Sequence, residues 1–299
     1  MHYTGTIWRP PYEASSLLLE VTAGCTHHRC KFCTLYADLP FPFRMSPVED
    51  IEEDLREARE MYGRLQRRRV SRIFLTGANP FVLDYGKLAR IGELIRKYFP
   101  DVKSIGCFAR VTDISLKTDG HLADLRQMGY DGLTIGIETG DDEALRFMDK
   151  GYGAADIVEQ CKRLDRAGIH YSFFYLAGIS GRDRGVEGAM ATAKVCNRLR
   201  PTLIGVNMLT IYEDSGLYRE IRQGTWREES ETEKYREVRA LAENLEIPTV
   251  FAALGASNAF QIQSVLPKDR ERLLAFLGGI IEGQGEERLR RYRESVYHL

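Results

Sequence analysis

Leu17-Leu18-Leu19-Glu20-Val21-Thr22-Ala23-Gly24-Cys25-Thr26-His27-His28-Arg29-Cys30-Lys31-Phe32-Cys33 runs from an apolar segment straight into a cysteine-rich loop. Leu17–Val21 reads as a strand that ends at Gly24. Three of the six cysteines (Cys25, Cys30, Cys33) follow with the spacing C-x4-C-x2-C, while Cys107, Cys161 and Cys196 are scattered. Three thiolates this close can hold three irons of a 4Fe–4S cluster and leave the fourth iron open. They also suit zinc, with His27 or His28 as a fourth ligand. The spacing leaves both open.

Outward from this loop the chain alternates strand-like and helix-like segments. Ser46-Pro47-Val48-Glu49 reads as a capping box with Pro47 at the first helical position. Ile51, Leu55, Ala58, Tyr62 and Leu65 then lie on one helix face. Strands are expected at Arg72–Thr76, Val102–Phe108, Leu133–Ile137, Tyr171–Leu176 and Leu203–Ile211. Between them, helices are expected over 84–98, around Leu122–Met128, from Ile157 to near Gly168, and over 186–199. Strands that recur with a helix between each pair imply parallel βαβ units, wound by right-handed crossovers. The expected fold is α/β: a partial (β/α)6 TIM-like barrel over 1–220, with a C-terminal α/β extension over 221–299. That extension holds a helix at Glu229–Glu246, a strand at Pro248–Leu254 and a helix at Pro267–Ile281. On a barrel, a loop after the first strand lies at the C-terminal face, where active sites sit.

Composition narrows the function classes. Of 299 residues, 42 are Lys or Arg and 43 are Asp or Glu, so the net charge is −1. That near balance argues against a strongly basic nucleic-acid binder. The longest apolar run, Leu273 to Ile281, is far below the roughly 20 residues that span a bilayer. The first residues carry no basic head before an apolar stretch, so a cytoplasmic protein with thiols rather than disulfides is expected.

Several further stretches, in order, resemble the radical S-adenosylmethionine (SAM) superfamily. The cysteine loop after the first strand is similar to its C-x3-C-x2-C motif, one residue longer, and Phe32 matches the aromatic before the last cysteine. Leu75-Thr76-Gly77-Ala78-Asn79-Pro80 stands where that family has its GGEP run, with Gly77 and Pro80 kept. Gly136-Ile137-Glu138-Thr139-Gly140, continuing to Lys150-Gly151, resembles the GIESG…RG run of a branch. That branch holds tRNA methylthiotransferases and relatives of oxygen-independent coproporphyrinogen oxidase. Tyr175-Leu176-Ala177-Gly178-Ile179-Ser180-Gly181 and Ile211-Tyr212-Glu213-Asp214-Ser215-Gly216-Leu217-Tyr218 resemble its turns after strands five and six.

The resemblance implies a 4Fe–4S cluster on Cys25, Cys30 and Cys33, with SAM chelating the open iron. It implies cofactor contacts from Phe32, from the backbone of Thr76, Gly77, Ala78 and Asn79 toward the SAM ammonium, and from Glu138 and Lys150. Glu138 would meet the methionyl or ribose part and Lys150 the carboxylate; lysine keeps the charge of the family's arginine and loses its fork. One electron from an external donor such as flavodoxin or ferredoxin would cleave SAM to methionine and a 5′-deoxyadenosyl radical, which takes hydrogen from a substrate. The protein would orient the reactants and exclude water and oxygen. Cys107 and Arg110, near the end of the third strand, are candidates to reach the reacting groups.

A small-molecule substrate is expected, with no membrane or nucleic-acid partner. This reading uses the lack of a second cysteine cluster, a preceding cobalamin-type domain or a following basic RNA domain. Two alternatives are modification of RNA or peptide, and a haem-handling relative without radical turnover. His2, His121, His170 and His298 stand in no haem-attachment motif. The runs Arg64, Arg67, Arg68, Arg69, Arg72 and Arg288, Arg290, Arg291, Arg293 are expected as solvated helix ends. Cys161 and Cys196 are expected in the core. Trp8, Pro10 and Pro11 are expected against the barrel floor or edge, and Asn207, Met208, Ser257 and Asn258 to line its lumen.

Overall fold

A computed structural model describes residues 1–65 and 69–296. The side chain of Leu65, and Arg67, Arg68 and His298, lie outside the described residues. The first part of the chain holds β1 (Leu17–Glu20), β2 (Thr22–Gly24), β3 (Phe43–Met45), α1 (Val48–Leu65), β4 (Arg72–Thr76), α2 (Tyr85–Tyr98), β5 (Ser104–Ala109), α3 (Val111–Ser115), α4 (Asp119–Gln127) and β6 (Leu133–Glu138). There follow α5 (Asp142–Phe147), α6 (Ala154–Ala167), β7 (Tyr171–Ala177), α7 (Gly185–Cys196), β8 (Leu203–Met208) and α8 (Gly216–Gln223). The last elements are α9 (Glu231–Asn244), β9 (Thr249–Ala253), β10 (Ile262–Leu266), α10 (Arg270–Gly283) and α11 (Glu286–Glu294).

Eight strands form one sheet in the order β1-β4-β5-β6-β7-β8-β9-β10, and β2 pairs with β3 apart from it. The pairs β1-β4, β4-β5, β5-β6, β7-β8 and β8-β9 are parallel. Strand β10 joins β9 antiparallel. Sequential parallel strands with helices between them are the expected α/β pattern of a partial (β/α)6 barrel. Strand β9, within the span 221–299, continues the parallel order past β8.

By its contacts the chain divides into two compact units. One holds Met1–His28, Leu35–Ile135 and Lys162–Tyr171; the other holds Arg29–Thr34, Gly136–Cys161 and Ser172–Leu299. In the first unit Leu19, Ile73, Leu75, Ile105 and Cys107 are sealed in the sheet's core. Ile51, Leu55 and Ala58 of α1 and Leu88, Ile91, Leu94 and Ile95 of α2 are buried at their expected helical spacing. Each buried leucine or isoleucine side chain contributes about 2 kcal/mol on leaving water.

Helix α1 starts one residue later than expected. The Pro47 carbonyl accepts from the Ile51 N–H at 3.1 Å, so Pro47 is the cap, while the Ser46 N–H donates to the Val21 carbonyl at 2.9 Å.

Arg72 is not part of a solvated helix end. Its Nε donates to both Glu13 carboxylate oxygens, at 3.0 and 2.9 Å. Nη1 donates to Ser104 Oγ at 2.9 Å and to the Asp131 carbonyl at 3.1 Å, and Nη2 to the Gly132 carbonyl at 3.1 Å. The guanidinium thus ties the N-terminal segment to the starts of the strands, and the burial of Glu13 makes the pair a structural clamp. Gly106 gives it room, since a Cβ there would stand 2.1 Å from Nη2. Arg64 and Arg69 are exposed, as expected.

In the second unit α9 turns a charged face inward. Glu231, Lys234 and Glu237, three residues apart, are all buried. Arg293 and Arg290 also depart from the solvated reading: Arg293 is buried, with Nη2 3.2 Å from Glu231 and Nη1 donating to Thr210 Oγ1 at 3.1 Å. Arg290 reaches Glu228 at 2.9 Å. A polar core of this kind is stable only when each charge has a partner. Arg288 and Arg291 are exposed, as expected. Cys161 and Cys196 are sealed in the core, and burial pushes the Cys196 thiol up to about 12. At the sheet's end, the Val265 N–H donates to Asp269 Oδ2 at 2.9 Å and the Val265 carbonyl accepts from the Asp269 N–H at 2.8 Å. Both outward groups of that edge residue are thereby closed to another strand.

Glu237 accepts from the Tyr175 hydroxyl and from the Gly178 N–H and faces Glu229, also buried. Burial and the neighbouring Glu229 push Glu237 well above the carboxylate range, and burial pushes Glu229 from 4.5 up to about 7. The folded state holds protons that the unfolded chain releases, so stability is full below the ordinary carboxylate range and falls as pH rises above it. Urea unfolding across this range should show the decline, Glu229→Gln should lessen it, and Glu229→Gln with Glu237→Gln should flatten it. An unchanged profile in the double variant would assign the decline to other groups.

Candidate functional site

The two flanks of the cysteine loop are held separately, one within each unit. In the first, Gly24 stands at φ +81, and a Cβ there would lie 2.2 Å from the Pro42 carbonyl oxygen. That carbonyl accepts from the Cys25 N–H at 2.7 Å. The β2–β3 ribbon therefore fixes the backbone of the first cysteine. Next to it, the Thr26 N–H donates to Asn79 Oδ1 at 3.4 Å, and Asn79 Nδ2 donates to Thr26 Oγ1 at 2.7 Å and to Asp113 Oδ1 at 3.1 Å. The Arg110 N–H donates to Asp113 Oδ2 at 2.7 Å. Asn79 is fully buried, and burial pushes the Asp113 carboxyl up to about 6.

Gly77, expected at a cofactor turn, has φ +124. A Cβ would stand 2.0 Å from Thr22 Oγ1 and 2.5 Å from the Thr22 carbonyl oxygen. On either side of this contact, the hydroxyls of Thr22 and Thr76 are buried without a hydrogen-bond partner among the described residues. Gly77→Ala should cost about 2–4 kcal/mol through strain and overpacking, read by urea unfolding. A cost below about 0.5 kcal/mol would show that the contact yields.

In the second unit, the Cys33 N–H donates to the Cys30 carbonyl at 3.0 Å, closing a tight turn around Lys31-Phe32. Phe32 packs against the cluster of Met148, Leu176, Ile179, Leu209, Leu217 and Trp226. Glu138, at the end of β6, stands at φ +62, a strained value for a residue with a side chain. Its Oε1 accepts from Lys150 Nζ at 3.0 Å. Lys150 also lies 5.6 Å from the Phe32 ring centre and 5.5 Å from that of Tyr152. Burial works to lower its pKa; Glu138, Tyr152 and Cys30 outweigh this and hold the ammonium well above its ordinary value. A permanent cation, paired with Glu138, therefore stands by the second cysteine. Glu138 and Lys150, expected at two parts of one cofactor, meet each other here.

None of the six cysteines is disulfide-bonded; Cys25 and Cys30 are half-buried, Cys33 is exposed, and Cys107, Cys161 and Cys196 are buried. Among the described residues no three of His, Cys, Asp and Glu stand in a preformed metal geometry. The fit to an iron–sulfur cluster therefore rests on the donor set: three accessible soft ligands on one short loop, with a fixed cation alongside. Phe32, Glu138 and Lys150 come together in the second unit, and Thr76, Gly77, Ala78 and Asn79 line one turn in the first. Cys107 is sealed in the core, and burial pushes its thiol far up. The Arg110 guanidinium donates to Thr112 Oγ1 at 3.1 Å. His27 is half-buried and His28 exposed. Ser257 Oγ accepts from the Met208 N–H at 3.1 Å, and Asn258 Nδ2 donates to the Val206 carbonyl at 3.0 Å. These two side chains fasten a loop to β8.

The Asn79–Asp113 link was missed from the sequence. Its signal is an acid three residues into a short helix, Arg110-Val111-Thr112-Asp113, whose carboxylate closes onto the Arg110 N–H.

These features define an α/β-barrel protein whose cysteine loop follows the first strand of the sheet. The Radical SAM superfamily model matches residues 19–190. The chain belongs to the radical SAM superfamily, a class of enzymes that use a 4Fe–4S cluster and SAM. No curated protein sequence matches it significantly. Among solved structures, methylornithine synthase (PylB) is similar with TM-score 0.55 and 15% identity, over 93% of this chain and 85% of that one. The radical SAM methyltransferase TsrM from Kitasatospora setae, with cobalamin and a [4Fe-4S] cluster bound, gives TM-score 0.53 and 15% identity over 70% of this chain. The chain spans 37% of the length of TsrM. Elp3 from Methanocaldococcus infernus gives TM-score 0.51 and 13% identity, over 78% of this chain and 55% of that one. At such identities the likeness is one of fold. Among the described residues no helix is long and apolar enough to cross a membrane.

Proposed function

We propose that this chain cleaves SAM reductively at a 4Fe–4S cluster held by Cys25, Cys30 and Cys33 and turns the resulting radical on a small molecule. The observation that carries this reading is the division of the cysteines: three accessible thiols on one loop after β1, and three buried. When bound, the cluster supplies the electron that splits the SAM sulfonium into methionine and a 5′-deoxyadenosyl radical. The chain's own residues prepare for that event. Lys150, kept charged by Glu138, is the partner for a carboxylate. The backbone turn over Thr76, Gly77, Ala78 and Asn79, with the unpartnered hydroxyls of Thr22 and Thr76, offers acceptors for an ammonium. Phe32 supplies an apolar wall. Arg110, its backbone fixed by Asp113, is the candidate for reaching substrate.

Residues 1–220 would carry this chemistry, with 221–299 as an extension. An external electron donor of the flavodoxin or ferredoxin type serves the reaction, in a cytoplasmic setting. The near-neutral charge favours a small substrate over RNA. The test is anaerobic reconstitution followed by dithionite and SAM. The expected product is 5′-deoxyadenosine; its complete absence with intact cluster absorbance would sink the proposal.

A further inference from the structure

The Lys31-Phe32 dipeptide between the second and third cysteines is gripped from two directions inside the second unit. On one side the Lys31 N–H donates to the Met148 carbonyl, just past α5, at 3.2 Å. On the other the Lys31 carbonyl accepts from the Leu217 N–H, in the first turn of α8, at 2.6 Å. The residue is thus held through both of its backbone polar groups, by two elements far away in sequence. Its side chain is held as well: Nζ lies 2.7 Å from Glu220 Oε1 and 4.1 Å from the centre of the Phe147 ring. Glu220 lies one turn beyond Leu217 on α8, so one short helix takes both the carbonyl and the ammonium of Lys31.

The close approach favours a glycine. A Cβ on Gly216 would stand 3.1 Å from Lys31 Cα, 3.1 Å from its carbonyl oxygen and 3.4 Å from its Cβ. The nearest two of these are backbone atoms of the cysteine loop, which cannot swing aside as a side-chain end can. Ser215 caps the same helix, its Oγ accepting from the Tyr218 N–H at 3.1 Å, which fixes where Gly216 and Leu217 stand.

We infer that the first turn of α8 is a positioning device for the cysteine loop: Gly216, Leu217 and Glu220 hold Lys31, and through it set the placement of Cys30 and Cys33. Cys25 lies outside this grip, fastened by Pro42 and followed by the Thr26–Asn79 link. The loop's two ends are therefore anchored independently, and loosening α8 acts on the second and third cysteines alone. The inference rests on the reading of these cysteines as cluster ligands for its functional meaning, but its structural content is testable on the metal-free chain.

The experiment compares the wild-type chain with Gly216→Val, Gly216→Ala and Glu220→Gln. Cysteine alkylation by iodoacetamide is followed residue by residue in the apo protein. The reconstituted protein is then challenged with an iron chelator. In the apo Gly216→Val chain, alkylation of Cys30 should accelerate about tenfold, the ratio expected when a local closure worth a factor of ten is lost. Cys25 should keep its wild-type rate, and Gly216→Ala and Glu220→Gln should fall between. The same order should hold for cluster loss to the chelator. Glu220→Gln keeps the helix and its glycine, so it separates loosening from misfolding, which circular dichroism monitors. Equal Cys30 rates in all four proteins would overturn the inference, as would an equal rise at Cys25. If the wild type binds no iron, the cluster reading fails, while the alkylation rates still decide whether α8 positions the thiols.

Discussion

Cys30→Ala should yield a folded, colourless protein. Reconstituted wild type should hold about four irons per chain, and the variant should drop to background, because two thiolates cannot retain a cluster that leaves one iron open by design. Formation of 5′-deoxyadenosine should fall with it, by at least about a thousandfold. The fold should survive, since Cys30 is half-buried and its turn is held through backbone groups: the Cys33 N–H on the Cys30 carbonyl and the two bonds to Lys31. Lys150, however, loses a neighbour that helps hold its charge, while Glu138 at 3.0 Å remains. The measurements are iron and sulfide content, visible absorbance, and a melting curve. Undiminished iron would remove Cys30 from the ligand set; retained stoichiometric zinc would convert the loop into a zinc site with His27 or His28.

The second large effect belongs to the buried ionic core on α9. Lys234 is fully buried, with Nζ 2.9 Å from Glu231 Oε1, 2.9 Å from Glu228 Oε1 and 3.2 Å from the Leu209 carbonyl. Burial works to raise the pKa of Glu231, and Lys234 and Arg293 outweigh it, holding the carboxyl below its ordinary value. Lys234→Met fills much of the volume but removes the charge. It leaves Glu231 with Arg293 and, at 3.9 Å, Arg290, and the Leu209 carbonyl without its donor. The expected loss is about 3–5 kcal/mol, the cost of breaking a buried pair from one side. Adding Glu231→Gln also strips buried Arg293 of its carboxylate, so the double variant should be less stable than Lys234→Met, though by less than the sum of the single losses. Urea unfolding of the two single variants and the double variant measures the coupling. Additive losses would show that the two residues stabilise the fold independently.

The difference between these predictions follows what the sequence displays. The strand–helix alternation was legible because apolar periodicity is local: Leu88, Ile91, Leu94 and Ile95 announce α2, and all four are buried. The cysteine loop stands out in the sequence because its three thiols lie within nine residues. The charged cores were not. Arg72 and Arg293 sit in basic runs and look like solvated helix ends; their partners, Glu13 and Glu231, are 59 and 62 residues away. No local pattern carries such a distance. Likewise Lys31 looks like a loop residue until Met148 and Leu217 are brought to it by the fold. Strand ends were blurred for a related reason. The apolar run reaches Ile211, yet the strand stops at Met208, and the Leu209 N–H turns to the Ala177 carbonyl at 2.9 Å.

The central claim is that the loop's three cysteines hold a cluster whose open iron takes SAM. Electron paramagnetic resonance of the dithionite-reduced, reconstituted protein tests it most directly. The account predicts a reduced 4Fe–4S signal that shifts its g-values when SAM is added, and that is absent in Cys30→Ala. A wild-type signal indifferent to SAM, or a reconstituted chain that carries zinc and gives no signal, would contradict it.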